Sequence, residues 1–234
     1  MFHLTHAKAG SQWVYRILLE CAPDRVIPPR LDMAQVLEQP IRPGAIYPVL
    51  FLPREEFDEI RLPPGSRLLV VIRDLRDTLV SLYYSVKFSH PPIPIIAEGR
   101  ARMSPMDLEE GLLFAMDEWL LSIGHIQESW LASGEPLIRF EDLLEHDLEI
   151  LERVLLDEWG LPVARERLRE VVLASRFEQL TGGRRRGCED RMAHERKGVA
   201  GDWRTHFTDR VKTEFKARFG DLLVATGYEQ DLAW

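Results

Sequence analysis

The chain has 234 residues, 45% hydrophobic and 29% charged, the proportions of a folded globular protein with a sizeable core and not of a disordered one. Its net charge of −8 leaves no basic field to hold long nucleic acid, so any bound anion must be gripped by a local cluster of cations. Cys21 and Cys188 lack metal-ligand spacing, no apolar run reaches membrane-spanning length, and Met1–His6 has no cationic segment followed by an apolar one. A cytoplasmic protein with reduced thiols, no membrane span and no secretory signal is expected.

In chain order, residues 2–7 predict a short strand. A helix follows over 11–21, where Val14, Ile17, Leu18 and Cys21 recur at helical spacing. Residues 47–52 predict a second strand, closed by Pro53 and followed by a short acidic helix. Leu68–Ile72 is a continuous aliphatic run after a Pro-Pro-Gly turn signal, the pattern of a strand buried on both faces. A helix over 76–86 comes next, and then residues 88–105, whose four prolines predict an irregular loop suited to be a lid. Helices are expected over 106–132, a strand over 136–140, helices over 143–159 and 163–174, a Gly/Arg-rich stretch over 181–201 and a last amphipathic helix over 209–226. Strands alternating with helices predict one α/β domain over residues 1–234, a central parallel sheet flanked by helices on both faces. Ligands in such folds sit beyond the carboxyl ends of the strands.

Three segments hold the chemistry. The first, His6-Ala7-Lys8-Ala9-Gly10-Ser11-Gln12-Trp13, joins the first strand to the first helix. Gly10 allows close backbone approach, Ser11 can cap the helix, and the free N–H groups there make an anion cradle with Lys8 at its mouth. A phosphate loop for nucleoside triphosphates ends in Gly-Lys; here the lysine comes before the glycine, which disfavours kinase chemistry. The second segment, Ile72-Arg73-Asp74-Leu75-Arg76-Asp77 and on to Ser81-Leu82-Tyr83-Tyr84, sets a guanidinium at the end of the aliphatic strand and a hydroxyl in the helix beyond. Read without context, its charges pair with one another on the surface. The third, Arg196-Lys197-Gly198-Val199-Ala200-Gly201-Asp202-Trp203, is a glycine-flanked Arg-Lys pair able to close over a phosphate. Arg184, Arg185 and Arg186 read more simply as a solvated basic loop.

Together these segments resemble the cytosolic-type sulfotransferases. Lys8 to Trp13 is similar to their 5′-phosphosulfate loop, Pro-Lys-Ser-Gly-Thr-Thr-Trp, with Ala9 in place of a serine and Gln12 of a threonine. Arg73 to Ser85 resembles the 3′-phosphate motif, Arg-Asp-Pro-Arg-Asp then Val-Ser-Tyr-Tyr, and Arg196 to Trp203 resembles Arg-Lys-Gly-x-x-Gly-Asp-Trp. The resemblance implies a P-loop-like nucleotide-binding fold and an enzyme. It would move a sulfuryl group from 3′-phosphoadenosine 5′-phosphosulfate (PAPS) to a hydroxyl or amine of a small-molecule acceptor, giving PAP, without a metal. It implies that Lys8 contacts the transferred group, that Gly10, Ser11 and Gln12 hold the 5′-phosphate, and that Trp13 stacks on adenine. Arg73, Ser81, Arg196, Lys197 and Gly198 would hold the 3′-phosphate. Phe140, Ser175 and Phe177 would lie near the base.

The resemblance fails at one position. Family members carry Thr-His-Leu-Pro after the second strand, with the histidine as base, whereas this chain has Leu50-Phe51-Leu52-Pro53. His90, in Ser89-His90-Pro91, is the first substitute as catalytic base; His6 and Glu55-Glu56 are the others, while His125 and His146 read as structural. A protein that binds PAP or PAPS without catalysis, or serves as a scaffold, is the alternative reading. Family members dimerise through a Lys-x-x-x-Thr-Val string that Arg204 to Asp209 matches poorly, so a homodimer is left open.

Overall fold

The aliphatic run Leu68–Ile72 forms a strand with a neighbour on either side in the computed structural model, which describes residues 1–234. In chain order the elements begin with β1 (Phe2–Thr5), α1 (Ser11–Cys21), α2 (Ala34–Leu37), β2 (Tyr47–Leu50), α3 (Arg54–Asp58), β3 (Leu68–Ile72) and α4 (Leu75–Tyr84). A π-helical turn, Ser85–Ser89, extends α4; α5 (Pro94–Met103), α6 (Leu108–Ala115) and α7 (Leu121–Ala132) follow, with a second π-helical turn, Met116–Leu120, between the last two. The chain then makes β4 (Leu137–Arg139), α8 (Phe140–Leu151), α9 (Arg165–Ala174), α10 (Phe177–Leu180) and α11 (Asp209–Ala225).

By its internal contacts the chain divides into two units, one made of Met1–Ile72 with Ile126–Gly183, the other of Arg73–His125 with Arg184–Trp234. The first unit holds the sheet. Its strands are all parallel in the order β2-β1-β3-β4, with His3 opposite Leu69 and Val71 opposite Ile138. Parallel neighbours require crossover connections, here helical, and helices of the same unit pack on both faces. On one face Leu69 and Val71 pack with Val14, Ile17 and Leu18 of α1, Leu143 and Leu151 of α8 and Leu168 of α9. On the other, Phe2, Leu4, Val70, Tyr47 and Leu50 pack with Phe57 of α3 and Trp130 of α7, whose indole N–H donates to the Leu52 carbonyl at 2.8 Å. This is the α/β sheet with flanking helices that the sequence predicts. Strand order reverses direction at β1, so the loop leaving β1 emerges at the switch point where such sheets bind ligands.

The second unit is helical. Gly111 lets α6 lie against α4: a Cβ there would stand 2.4 Å from the Tyr83 ring. Two local expectations are corrected. Residues 88–105 are not an irregular loop throughout, because Pro94 occupies the first turn of α5, where its missing N–H costs nothing, and the helix runs to Met103. Phe140 does not close a strand but opens α8, the sheet having ended at Arg139.

Candidate functional site

The loop after β1 is shaped by two left-handed residues, Lys8 at φ 70° and Gly10 at φ 80°. Only glycine fits at position 10, since a Cβ would lie 2.6 Å from the Phe140 ring as well as on strained backbone. Ala9 N–H donates to the His6 carbonyl at 3.3 Å, closing the turn, and the Gly10 carbonyl accepts from Trp13 N–H at 3.0 Å and Val14 N–H at 3.1 Å. Helix α1 begins at Ser11 itself, so the cap position falls to Gly10 and the side-chain cap expected of Ser11 is not made; the first turn holds no acidic residue. The first N–H groups of a helix have no partner within it and sit at the positive end of its dipole. Such an end favours an anion. Lys8, half-buried at the loop's mouth, adds a full charge. Trp13 meets Phe140 edge-on, ring centres 6.2 Å apart, while Ser175 and Phe177 lie buried at the junction of α9 and α10.

In the second unit α4 organises another group. Asp77, one turn before Ser81, is buried and accepts from Gly201 N–H at 2.5 Å and Trp203 N–H at 2.9 Å, tying the Gly-x-x-Gly-Asp-Trp turn to the helix. Burial raises the Asp77 carboxyl above its ordinary pKa, opposed by the Arg73 guanidinium. Asp202 accepts from Lys197 Nζ at 2.5 Å, from His206 Nε2 at 3.2 Å and from Arg196, which also pairs with Glu189 and lies 4.5 Å over the Tyr84 ring. Burial works against the charge on Asp202, but the hydrogen bonds from His206, Lys197 and Arg196 outweigh it and hold the carboxyl well below the usual range. Gly198, at φ 68°, turns the chain directly after the Arg-Lys pair. The helix, the Arg-Lys pair and the Gly201 turn are thus brought together, with Arg196 and Lys197 already hydrogen-bonded to carboxylates.

A family model described as the sulfotransferase domain matches residues 52–227, well over half of the chain. The chain belongs to the sulfotransferase domain family. Sulfotransferase 2B1 of Rattus norvegicus is 24% identical over 240 residues, covering 89% of this chain; the chain spans only 66% of that relative's length. A mouse sulfotransferase complexed with PAP superposes with a TM-score of 0.66 at 17% identity, covering 97% of this chain and 87% of its own. Retinol dehydratase in a complex with retinol and PAP gives 0.57 at 16% identity, covering 95% and 80%. These structures share the fold. The family match takes in the second and third segments, whereas the Lys8 loop lies before residue 52 and stands on its own geometry.

For this sulfotransferase-family chain the place of the base is open at Phe51, which is half-buried against the Phe2 and Trp130 side of the sheet and has no group to accept a proton. In the second unit His90 is half-buried, with Nδ1 2.9 Å from the Pro91 carbonyl, a contact that places its proton on Nδ1 and leaves the lone pair on Nε2. Arg100 fixes the segment by donating to the Val86 carbonyl at 2.8 Å and the His90 carbonyl at 2.6 Å. Glu55 and Glu56 are exposed on α3. No group of three or more His, Cys, Asp or Glu side chains is arranged to hold a metal ion.

Several residues that build the site are not legible as such in the sequence. Arg76 is not a surface charge: it is 1% exposed, pairs with Asp74 at 2.7 Å and with Glu229, and its guanidinium carbon lies 4.0 Å from the centre of the Trp203 ring and 4.5 Å from that of Trp234. Arg184 is not simply solvated either; it donates to the carbonyls of Cys188 (2.9 Å), Glu195 and Arg196 and so shapes the basic loop. Asp77 and Asp202 stand inside the recognised motifs, and their adjacency to Arg and Lys was the available signal. Ala7, where the family pattern has proline, is a third departure in the first segment.

Proposed function

We propose that this chain transfers a sulfuryl group from PAPS to a hydroxyl or amine of a small-molecule acceptor, releasing PAP. The observation that carries the reading is the loop after β1: a lysine in left-handed backbone beside an uncapped helix start, where a 5′-phosphosulfate would find N–H donors and a cation together. Gly10, Ser11 and Gln12 then hold the 5′-phosphate through their backbone, and Trp13 with Phe140 offers an aromatic edge for adenine. Ser175 and Phe177 take the far side of the base. The 3′-phosphate falls to Arg73, Ser81, Arg196, Lys197 and the Gly198 turn, where Asp202 holds the cation pair in place.

The acceptor oxygen or nitrogen forms a bond to sulfur as the bond from sulfur to the phosphate oxygen breaks, and the acceptor's proton goes to a base. Lys8 stabilises negative charge growing on the leaving phosphate, an electrostatic term that strengthens in the transition state. His90, through Nε2, is the group with a lone pair suited to receive the proton. Phe51 favours a second reading, binding without turnover. Incubation with sulfur-labelled PAPS and a panel of phenols, alcohols, amines and sugars decides between them. Label on an acceptor together with an equal amount of PAP supports transfer, while tight PAP binding with no labelled product leaves the silent reading.

A further inference from the structure

His6 stands at the root of the loop that presents Lys8, and it is fully buried, as is Gln127 of α7. Its Nδ1 lies 3.0 Å from the Ala7 carbonyl oxygen and its Nε2 lies 3.0 Å from the Gln127 side chain. A neutral imidazole has one N–H to donate, and a backbone carbonyl can only accept. The proton therefore belongs on Nδ1, donated to Ala7, and Nε2 keeps its lone pair. Gln127 must then present its amide nitrogen to Nε2. With Oε1 placed there instead, Gln127 Nε2 is buried without a partner. Oxygen and nitrogen of an amide are assigned from the hydrogen-bond network, and exchanging them satisfies both side chains at once.

The consequence lies one residue further on. The Ala7 carbonyl belongs to the peptide that enters Lys8, whose φ of 70° is strained for a residue with a side chain. The family pattern puts a proline at position 7, whose ring restricts the backbone there, and alanine has no such restraint. The His6 carbonyl is also occupied, by Ala9 N–H at 3.3 Å and Thr5 Oγ1 at 3.4 Å. We infer that His6 is a positioning residue: its Nδ1–H, braced by the Gln127 amide at Nε2, fixes the Ala7 carbonyl and with it the loop that aims Lys8. The inference rests on the proposed role of Lys8 in turnover. It also removes His6 as a general base, because its lone pair is taken.

Long-range proton–nitrogen NMR on protein with labelled histidine reads the tautomer in the intact wild type, the His6 signals being those lost in His6→Asn. Protonated Nδ1 with Nε2 as acceptor is expected; protonated Nε2, or a doubly protonated ring, overturns the inference whatever the activity. Asparagine places an amide nitrogen near the position of Nδ1, so His6→Asn is expected to keep kcat within about threefold. His6→Leu keeps the bulk but loses the donor, and it is expected to lower kcat by about tenfold or more with PAP affinity within about twofold, the scale on which misplacing a reacting group acts. Equal kcat in the two variants overturns the positioning role. Should His6→Leu fail to fold, the tautomer measurement decides alone. Lys8→Ala assayed alongside separates the two layers: unchanged kcat there sinks the role of Lys8 itself, whereas a loss there with no Asn–Leu difference sinks only that of His6.

Discussion

The two anion-binding regions are built on opposite principles. The loop after β1 has one cation, no carboxylate in the first turn of its helix, and donors supplied by backbone. The cluster on α4 has Arg73, Arg196 and Lys197, but Asp77, Asp202 and Glu189 lie among them, so their charges are largely cancelled. What the cluster offers is N–H groups held in fixed directions, rather than a field. The first region is therefore suited to charge that develops during a reaction. The second is suited to recognising a group that does not change.

The largest expected effect follows from that contrast. Lys8→Ala removes the cation at the mouth of the first region and is expected to lower kcat by about a hundredfold or more, the scale for one electrostatic stabiliser, while PAP affinity changes little. A variant that keeps kcat and loses only affinity breaks the division of labour. Arg73→Ala is expected to act in the opposite sense. Charge-assisted hydrogen bonds contribute about 1.5–3 kcal/mol each, so calorimetry should find PAP bound about tenfold to a hundredfold more weakly, with kcat at saturating donor much less affected.

Asp202→Asn sharpens the comparison further. If the carboxylate only competes with phosphate for Arg196 and Lys197, its removal strengthens PAP binding. If it holds them in position, as proposed here, binding weakens by about tenfold, one charge-assisted hydrogen bond, despite the loss of a negative charge. The effect that is smallest near neutral pH, and grows as pH falls, concerns the strand beneath the first region. His3 on β1 is fully buried, neither ring nitrogen has a partner, and burial lowers its pKa to about 3. Below pH ~6.5 the unfolded chain binds a proton at His3 that the folded one refuses, so stability is lost at about 1.4 kcal/mol per pH unit as pH falls toward 3. Chemical denaturation of His3→Leu should match the wild type near pH 7 and exceed it increasingly below pH ~6; parallel curves through that range would contradict the burial.

How far the sequence reaches depends on the kind of interaction. Leu68–Ile72 is a buried strand on composition alone, and the three segments are visible because their spacing is set by local turns: Gly10 and Gly198 have positive φ where the motifs place glycine. The helix Pro94–Met103 was hidden because prolines flank and open it, and prolines read as loop. Arg76 and Arg184 read as surface charges in the sequence for a related reason. Their partners Trp203, Trp234 and Glu229, or the carbonyls of residues 188–196, are brought to them by tertiary folding, which no local pattern of charges records. Asp202 could be read as part of a motif, but not that three donors converge on it.

The most direct test of the account uses the unmodified protein and two nucleotides. Calorimetry of PAP against adenosine 5′-monophosphate, identical except for the 3′-phosphate, measures what the α4 cluster recognises. PAP is expected to bind at least about tenfold more tightly, one charge-assisted hydrogen bond or more. Equal affinity for the two would contradict both the assignment of the cluster and PAPS as the donor.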